Sequence, residues 1–100
     1  MQSVDDFHAT LGELIKRQRA LTMPQRDFAL RVGCSQRTLT RIEQGQPVNS
    51  ETLFNALAVL GLLDDFIALA DNKLRAAKHL PERKRQTDSE NFNESFDNDF

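Results

Sequence analysis

The stretch Gly33-Cys34-Ser35-Gln36-Arg37-Thr38-Leu39-Thr40-Arg41-Ile42-Glu43-Gln44-Gly45 constrains the chain more than any other. It reads as one short helix marked at both ends. The Ser35 hydroxyl can accept from an otherwise unpaired amide of the first turn. Gly45 supplies the left-handed residue that ends the helix. Between them only Leu39 and Ile42 are large and apolar, so the buried face is narrow. Gln36, Arg37, Thr38, Thr40 and Arg41 all carry hydrogen-bonding side chains. A helix lying in a DNA major groove needs that division: one edge grips the protein, and the rest offers Arg and Gln to base edges and hydroxyls to phosphates.

The flanks agree. Leu11, Leu14, Ile15 and Leu21, with Phe7 before them and Gln18 among them, recur at helical spacing and predict a first helix from Phe7 to Leu21, with residues 1–6 loose. Lys16, Arg17 and Arg19 crowd its C-terminal half, where cations suit the helix dipole. They read as either a solvated face or contacts to phosphate. Pro24 interrupts the pattern and suits a helix start. A second helix is expected from about Gln25 to Val32, with Phe28, Ala29 and Val32 inward. Gly33 then allows a tight turn, and Ala29 is small where two short helices must cross. After a loop over 46–49, Ser50 is expected to cap a fourth helix, Glu51 to about Leu60, with Leu53, Ala56, Leu57 and Leu60 on one face. A fifth should run from Leu63 to about Lys78. Its apolar residues, Leu63, Phe66, Ile67, Leu69 and Ala70 among them, exceed what so small a core needs, and the excess suggests a self-complementary contact between two copies.

Charge is divided along the chain. The net of −2 hides residues 1–85, where 13 bases face 10 acids, and residues 86–100, where five acids face no base. Residues 11–45 hold seven bases against three acids, so positive charge gathers around the polar helix. Pro81 should stop regular structure ahead of the basic cluster Glu82-Arg83-Lys84-Arg85. The acidic segment 86–100 is poor in aliphatics and is expected to be disordered alone. Phe92, Phe96 and Phe100 recur there every four residues, a spacing that suits anchoring on another protein. The same tail could instead serve only solubility, or its acids could compete with phosphate.

One hundred residues allow one small domain, and pairing with a copy would help to stabilise it. No run is long enough to cross a bilayer, and the N-terminus lacks an apolar signal core. A lone cysteine fits a reducing, cytoplasmic setting. His8 and His79 lack metal-ligand spacing, Cys34 has no Cys or His nearby, and no Gly-rich phosphate loop occurs. The reading is therefore of a non-enzyme with no metal and no cofactor.

Leu21 to Ala29, Val32 to Gln36 and Ile42 to Gly45 together resemble the Xre-type, phage repressor/Cro-like helix-turn-helix family, which usually writes L-T-Q-x-x-L-A…G-V-S…I-S-x-x-E-x-G. The likeness covers roughly residues 10–61. Pro24 stands where Ser or Thr is usual, Phe28 replaces Leu, and Cys34 replaces Val or Ile. The resemblance implies an all-α, five-helix lambda-repressor-like fold over 7–80, with 81–100 as basic cluster and acidic tail. It also implies a homodimeric repressor on a palindromic DNA operator. Gln36, Arg37 and Arg41 are then the candidates for base edges. Gln25, Ser35, Thr38, Thr40, Arg17 and Arg19 are candidates for the DNA backbone, Gln25 also bracing Gln36. Leu63, Phe66, Ile67, Leu69 and Ala70 become the dimer face. In some members an Arg of the first helix pairs with the acid at the position of Glu43. The matching position here is taken as Gln18, so that ion pair is expected to be lost or replaced by a hydrogen bond. Leu60-Gly61-Leu62-Leu63-Asp64-Asp65-Phe66, with the later basic cluster, is similar to HipB-like antitoxins. That likeness implies a kinase-like toxin as partner, with Phe92, Phe96 and Phe100 as a docking segment.

Overall fold

The computed structural model describes residues 2–78, and those residues form five helices. They are α1 (Val4–Ala20), α2 (Gln25–Val32), α3 (Gln36–Glu43), α4 (Ser50–Val59) and α5 (Leu63–Lys78). The all-helical architecture expected from the spacing of apolar residues is present. Pro81, the basic cluster and Phe92, Phe96 and Phe100 lie outside the described residues.

Local chemistry sets the ends of each helix, twice differently from expectation. α1 begins at Val4 rather than Phe7, because Ser3 and Asp6 form a reciprocal capping box. The Asp6 amide donates to Ser3 Oγ and the Ser3 amide to Asp6 Oδ2, each at 3.1 Å. The two bonds satisfy end donors that would otherwise be unpaired and hold the first turn. α4 is capped by Asn49 rather than Ser50, its Oδ1 accepting from the Thr52 amide at 2.8 Å. Ser35 caps α3 as expected, accepting from the Thr38 amide at 3.0 Å. Gly33 turns the chain between α2 and α3 at φ +87°, a conformation that a Cβ would penalise.

The described residues divide into two units, 2–69 and 70–78. The core of the first is built from Leu11 and Ile15 of α1, Phe28, Ala29 and Val32 of α2, Leu39 and Ile42 of α3, and Ala56 and Leu57 of α4. Leu53, Leu60, Leu63, Phe66 and Cys34 pack against it, partly buried. Two residues assigned inward from spacing are not inside: Phe7 and Leu21 are 56% and 80% exposed. Both sit at the ends of the apolar stripe. In the second unit the described residues are the remainder of α5, and these are mostly exposed.

α1 meets the end of α3 backbone to backbone. A Cβ on Gly12 would lie 2.5 Å from the Ile42 carbonyl oxygen and 2.9 Å from the Gly45 amide nitrogen. A Cβ on Gly45 would lie 2.9 Å from Ala9 Cα, and Gly45 also has a φ of +79°. An Ala normally stabilises a helix interior over Gly by about 0.8–1.0 kcal/mol. At Gly12 the sign should reverse. Gly12→Ala is expected to lose about 1–3 kcal/mol through overpacking, read as a lower urea midpoint. A higher midpoint would show that the two helices are not in such contact.

Candidate nucleic-acid interface

α3 divides as its sequence indicates. Leu39 and Ile42 are buried at 0% and 3% exposure, while Gln36, Arg37 and Arg41 are exposed. Thr38 and Thr40 are half-buried at its flanks. With α2 before it and Gly33 between them, α3 is the second helix of a helix-turn-helix, held by its apolar edge.

The clamp behind α3 is polar. Arg19 of α1 reaches Glu43 at the end of α3, its Nε donating to Oε2 at 2.6 Å and a terminal nitrogen to Oε1 at 3.2 Å. The other terminal nitrogen donates to the Met23 carbonyl at 3.1 Å. Gln25, the first residue of α2, donates its side-chain amide to Glu43 Oε1 at 3.0 Å. One carboxylate thus ties the end of α1, the start of α2 and the end of α3. The two charged side chains keep only 13% and 5% of their exposure.

This network corrects two readings. The α1 partner of Glu43 is Arg19, not Gln18, and the ion pair is present rather than lost. One residue is a turn of about 100° on a helix, and Gln18 instead lines an outer groove of α1 with Ala9, Thr10, Glu13, Leu14 and Arg17. Three of the five Arg19 N–H donors are engaged inside the protein, by Glu43 and the Met23 carbonyl. Gln25 braces Glu43 rather than Gln36.

Other candidates are placed as follows. Arg17 is 78% exposed on that same outer face, where its Nε donates to Glu13 Oε2 at 2.6 Å. That hydrogen bond, with the Arg17 charge behind it, holds the Glu13 carboxyl below its ordinary value. The structure therefore does not bring Arg17 to α3. Ser35 is occupied as the cap, and its hydroxyl also donates to Thr38 Oγ1 at 3.1 Å. That leaves the Thr38 hydroxyl proton as the free donor of the pair. Arg41 donates to the Pro47 carbonyl at 3.2 Å and borders an open cleft with Cys34, Ser35, Thr38, Asn49 and Thr52. Arg37 makes no side-chain hydrogen bond among the described residues. Burial raises the Cys34 thiol above its ordinary value, which disfavours the reactive thiolate.

Two residues that matter here were not singled out from the chain. Gly12 could have been found as a glycine inside a helical pattern, which usually marks close packing. Gln44 lies seven residues after Arg37, hence on the same side of the helix, and no sequence motif marks it.

A helix-turn-helix family model matches residues 15–66, from within α1 to within α5. The chain belongs to the Xre/Cro-like helix-turn-helix family. A search of the curated proteins gave no match. This Xre-type protein is a DNA-binding transcription regulator. Among the described residues, no single helix is long and apolar enough to cross a membrane.

The Glu43 network should dominate the regulator's sensitivity to charge removal. Glu43→Ala leaves Arg19 largely buried without its partner and is expected to cost about 3–5 kcal/mol. Glu13→Ala, at a solvent-exposed pair, should leave the denaturation midpoint nearly unchanged. Equal midpoints for the two variants would contradict the clamp.

Proposed function

We propose that this protein is a homodimeric repressor that reads a palindromic operator with α3. The observation that carries the reading is the division of α3 itself: Leu39 and Ile42 are enclosed, and Gln36, Arg37 and Arg41 face solvent. Arg forks onto guanine and Gln onto adenine, so these three residues are the base contacts. Arg37 is the principal one, because it makes no side-chain hydrogen bond among the described residues, whereas one Arg41 terminal nitrogen donates to the Pro47 carbonyl. Thr38 and Thr40 set register through phosphates, with Ser35 holding the cap between them. The helical body over 7–80 carries both DNA binding and pairing.

Pairing is assigned to the exposed side of α5. Ile67 and Leu69 are 54% and 56% exposed, and Ala70 is exposed beside them. Leu63 and Phe66 of the expected face are half-buried against the core, so they support this surface more than they form it. Two-fold pairing would set two copies of α3 about 34 Å apart, one turn of DNA.

A second reading adds a protein partner. The likeness of Leu60–Phe66 to HipB-like antitoxins, together with Phe92, Phe96 and Phe100 in an acidic segment, favours an antitoxin that binds a kinase-like toxin and represses its own operon. A stand-alone regulator without a toxin is the alternative.

Arg37→Ala is expected to weaken binding to a selected operator by about 1–3 kcal/mol and to relax preference at one base pair. Equal losses on operator and random DNA in a titration would remove Arg37 as a base contact. Ile67→Glu should yield a folded monomer by sedimentation, whereas an unchanged mass would move the dimer face elsewhere. With a kinase-like toxin supplied as the test partner, deleting 86–100 should spare operator affinity and abolish capture of that toxin. Retained capture would release the tail from that role.

A further inference from the structure

The three bases at the end of α1 have three different fates. Arg19 is neutralised inside the protein by Glu43. Arg17 is paired with Glu13 on the outer face. Lys16 makes no salt bridge among the described residues and is exposed. It lies one turn after Gly12, the residue in backbone contact with the end of α3, and so shares the side of α1 that faces α3.

There Lys16 borders an open notch of about 160 Å³ with Gln25, Thr40, Glu43 and Gln44. The acid in this lining is already satisfied. One Glu43 oxygen accepts from Arg19 Nε, and the other accepts from Arg19 and from Gln25. Counting Arg19, Glu43 and Lys16 together, the notch is left with one net positive charge. Glu13, three residues before Lys16, feels its charge, but the carboxylate is held by Arg17. Donors remain around the opening: the second amide hydrogen of Gln25, the Thr40 hydroxyl and the Gln44 amide, whose oxygen accepts from Gln46 at 3.4 Å. One uncancelled cation amid neutral donors, next to the outward side of α3, matches a phosphate diester oxygen.

We infer that this notch seats one phosphate of the DNA backbone and that Lys16, rather than Arg17 or Arg19, is the charge on α1 that holds it. The assignment rests on α3 docking to DNA. Gln44 joins Thr40 and Gln25 as neutral donors to the same phosphate.

The test is the salt dependence of binding to a random-sequence 24-base-pair duplex, followed by fluorescence anisotropy with the full-length protein. Each neutralised phosphate contributes about 0.9 to the slope of log affinity against log salt concentration. Lys16→Gln should reduce that slope by about one unit per protomer bound, and Lys16→Arg should keep it. The double variant Glu13→Gln, Arg17→Gln removes a charge pair with no net change and should leave the slope unaltered. Circular dichroism melting should be the same for all three variants, since neither site is buried. An unchanged slope for Lys16→Gln overturns the assignment, as does an equal fall in the double variant. Absence of any salt-dependent binding by the unaltered protein would instead overturn the docking on which the assignment rests.

Discussion

The arrangement of this protein depends on the Glu43 carboxylate. It receives three hydrogen bonds from two helices other than its own. An ion pair this enclosed adds little net stability, because desolvating both charges offsets most of their attraction. What it supplies is orientation. The bonds have direction, so α3 cannot rotate about its Leu39–Ile42 edge without breaking one of them. The contact of Gly12 with the backbone of Ile42 to Gly45 fixes the same end of α3 in translation. A short helix with two buried side chains would otherwise be held by packing alone, which is not directional.

The clamp also decides which charges are available to DNA. Seven bases between residues 11 and 45 suggest a broad positive face. Arg19 is paired with an enclosed carboxylate, Arg17 with an exposed one, and Arg41 donates to a carbonyl. Arg37 on the outward side of α3 and Lys16 beside its end carry no such tie among the described residues. Arg26 and Arg31 of α2 are likewise exposed and outside every salt bridge among the described residues, so discrimination rests on where the cations point rather than on their number, because phosphate contacts position and base contacts specify.

Much of this architecture was legible in the chain. Periodicity located all five helices, and the Ser35 cap and the Gly33 turn fall where their chemistry demands. Errors clustered at helix ends and at single-residue offsets. The Ser3–Asp6 box carries no apolar signature, because it precedes the apolar stripe rather than lying within it. Asn49 and Ser50 are both good caps, and adjacent alternatives cannot be separated without the backbone angles. Gln18 and Arg19 differ by a single position, yet they end on different faces of α1. Spacing gave no warning, since both can belong to the same approximate stripe.

The order of residues by itself determined that the chain would form short helices, that one of them would carry an apolar edge and a polar, cationic remainder, and to which family it belongs. Those properties are local, set by the 3.6-residue period and by capping. Only the tertiary structure decided the fate of each charge. Whether an arginine meets a phosphate or a carboxylate depends on distances between residues far apart in sequence, 24 positions for Arg19 and Glu43. Such partnerships arise from how helices cross, and helix crossing is a property of the packed molecule rather than of any one segment.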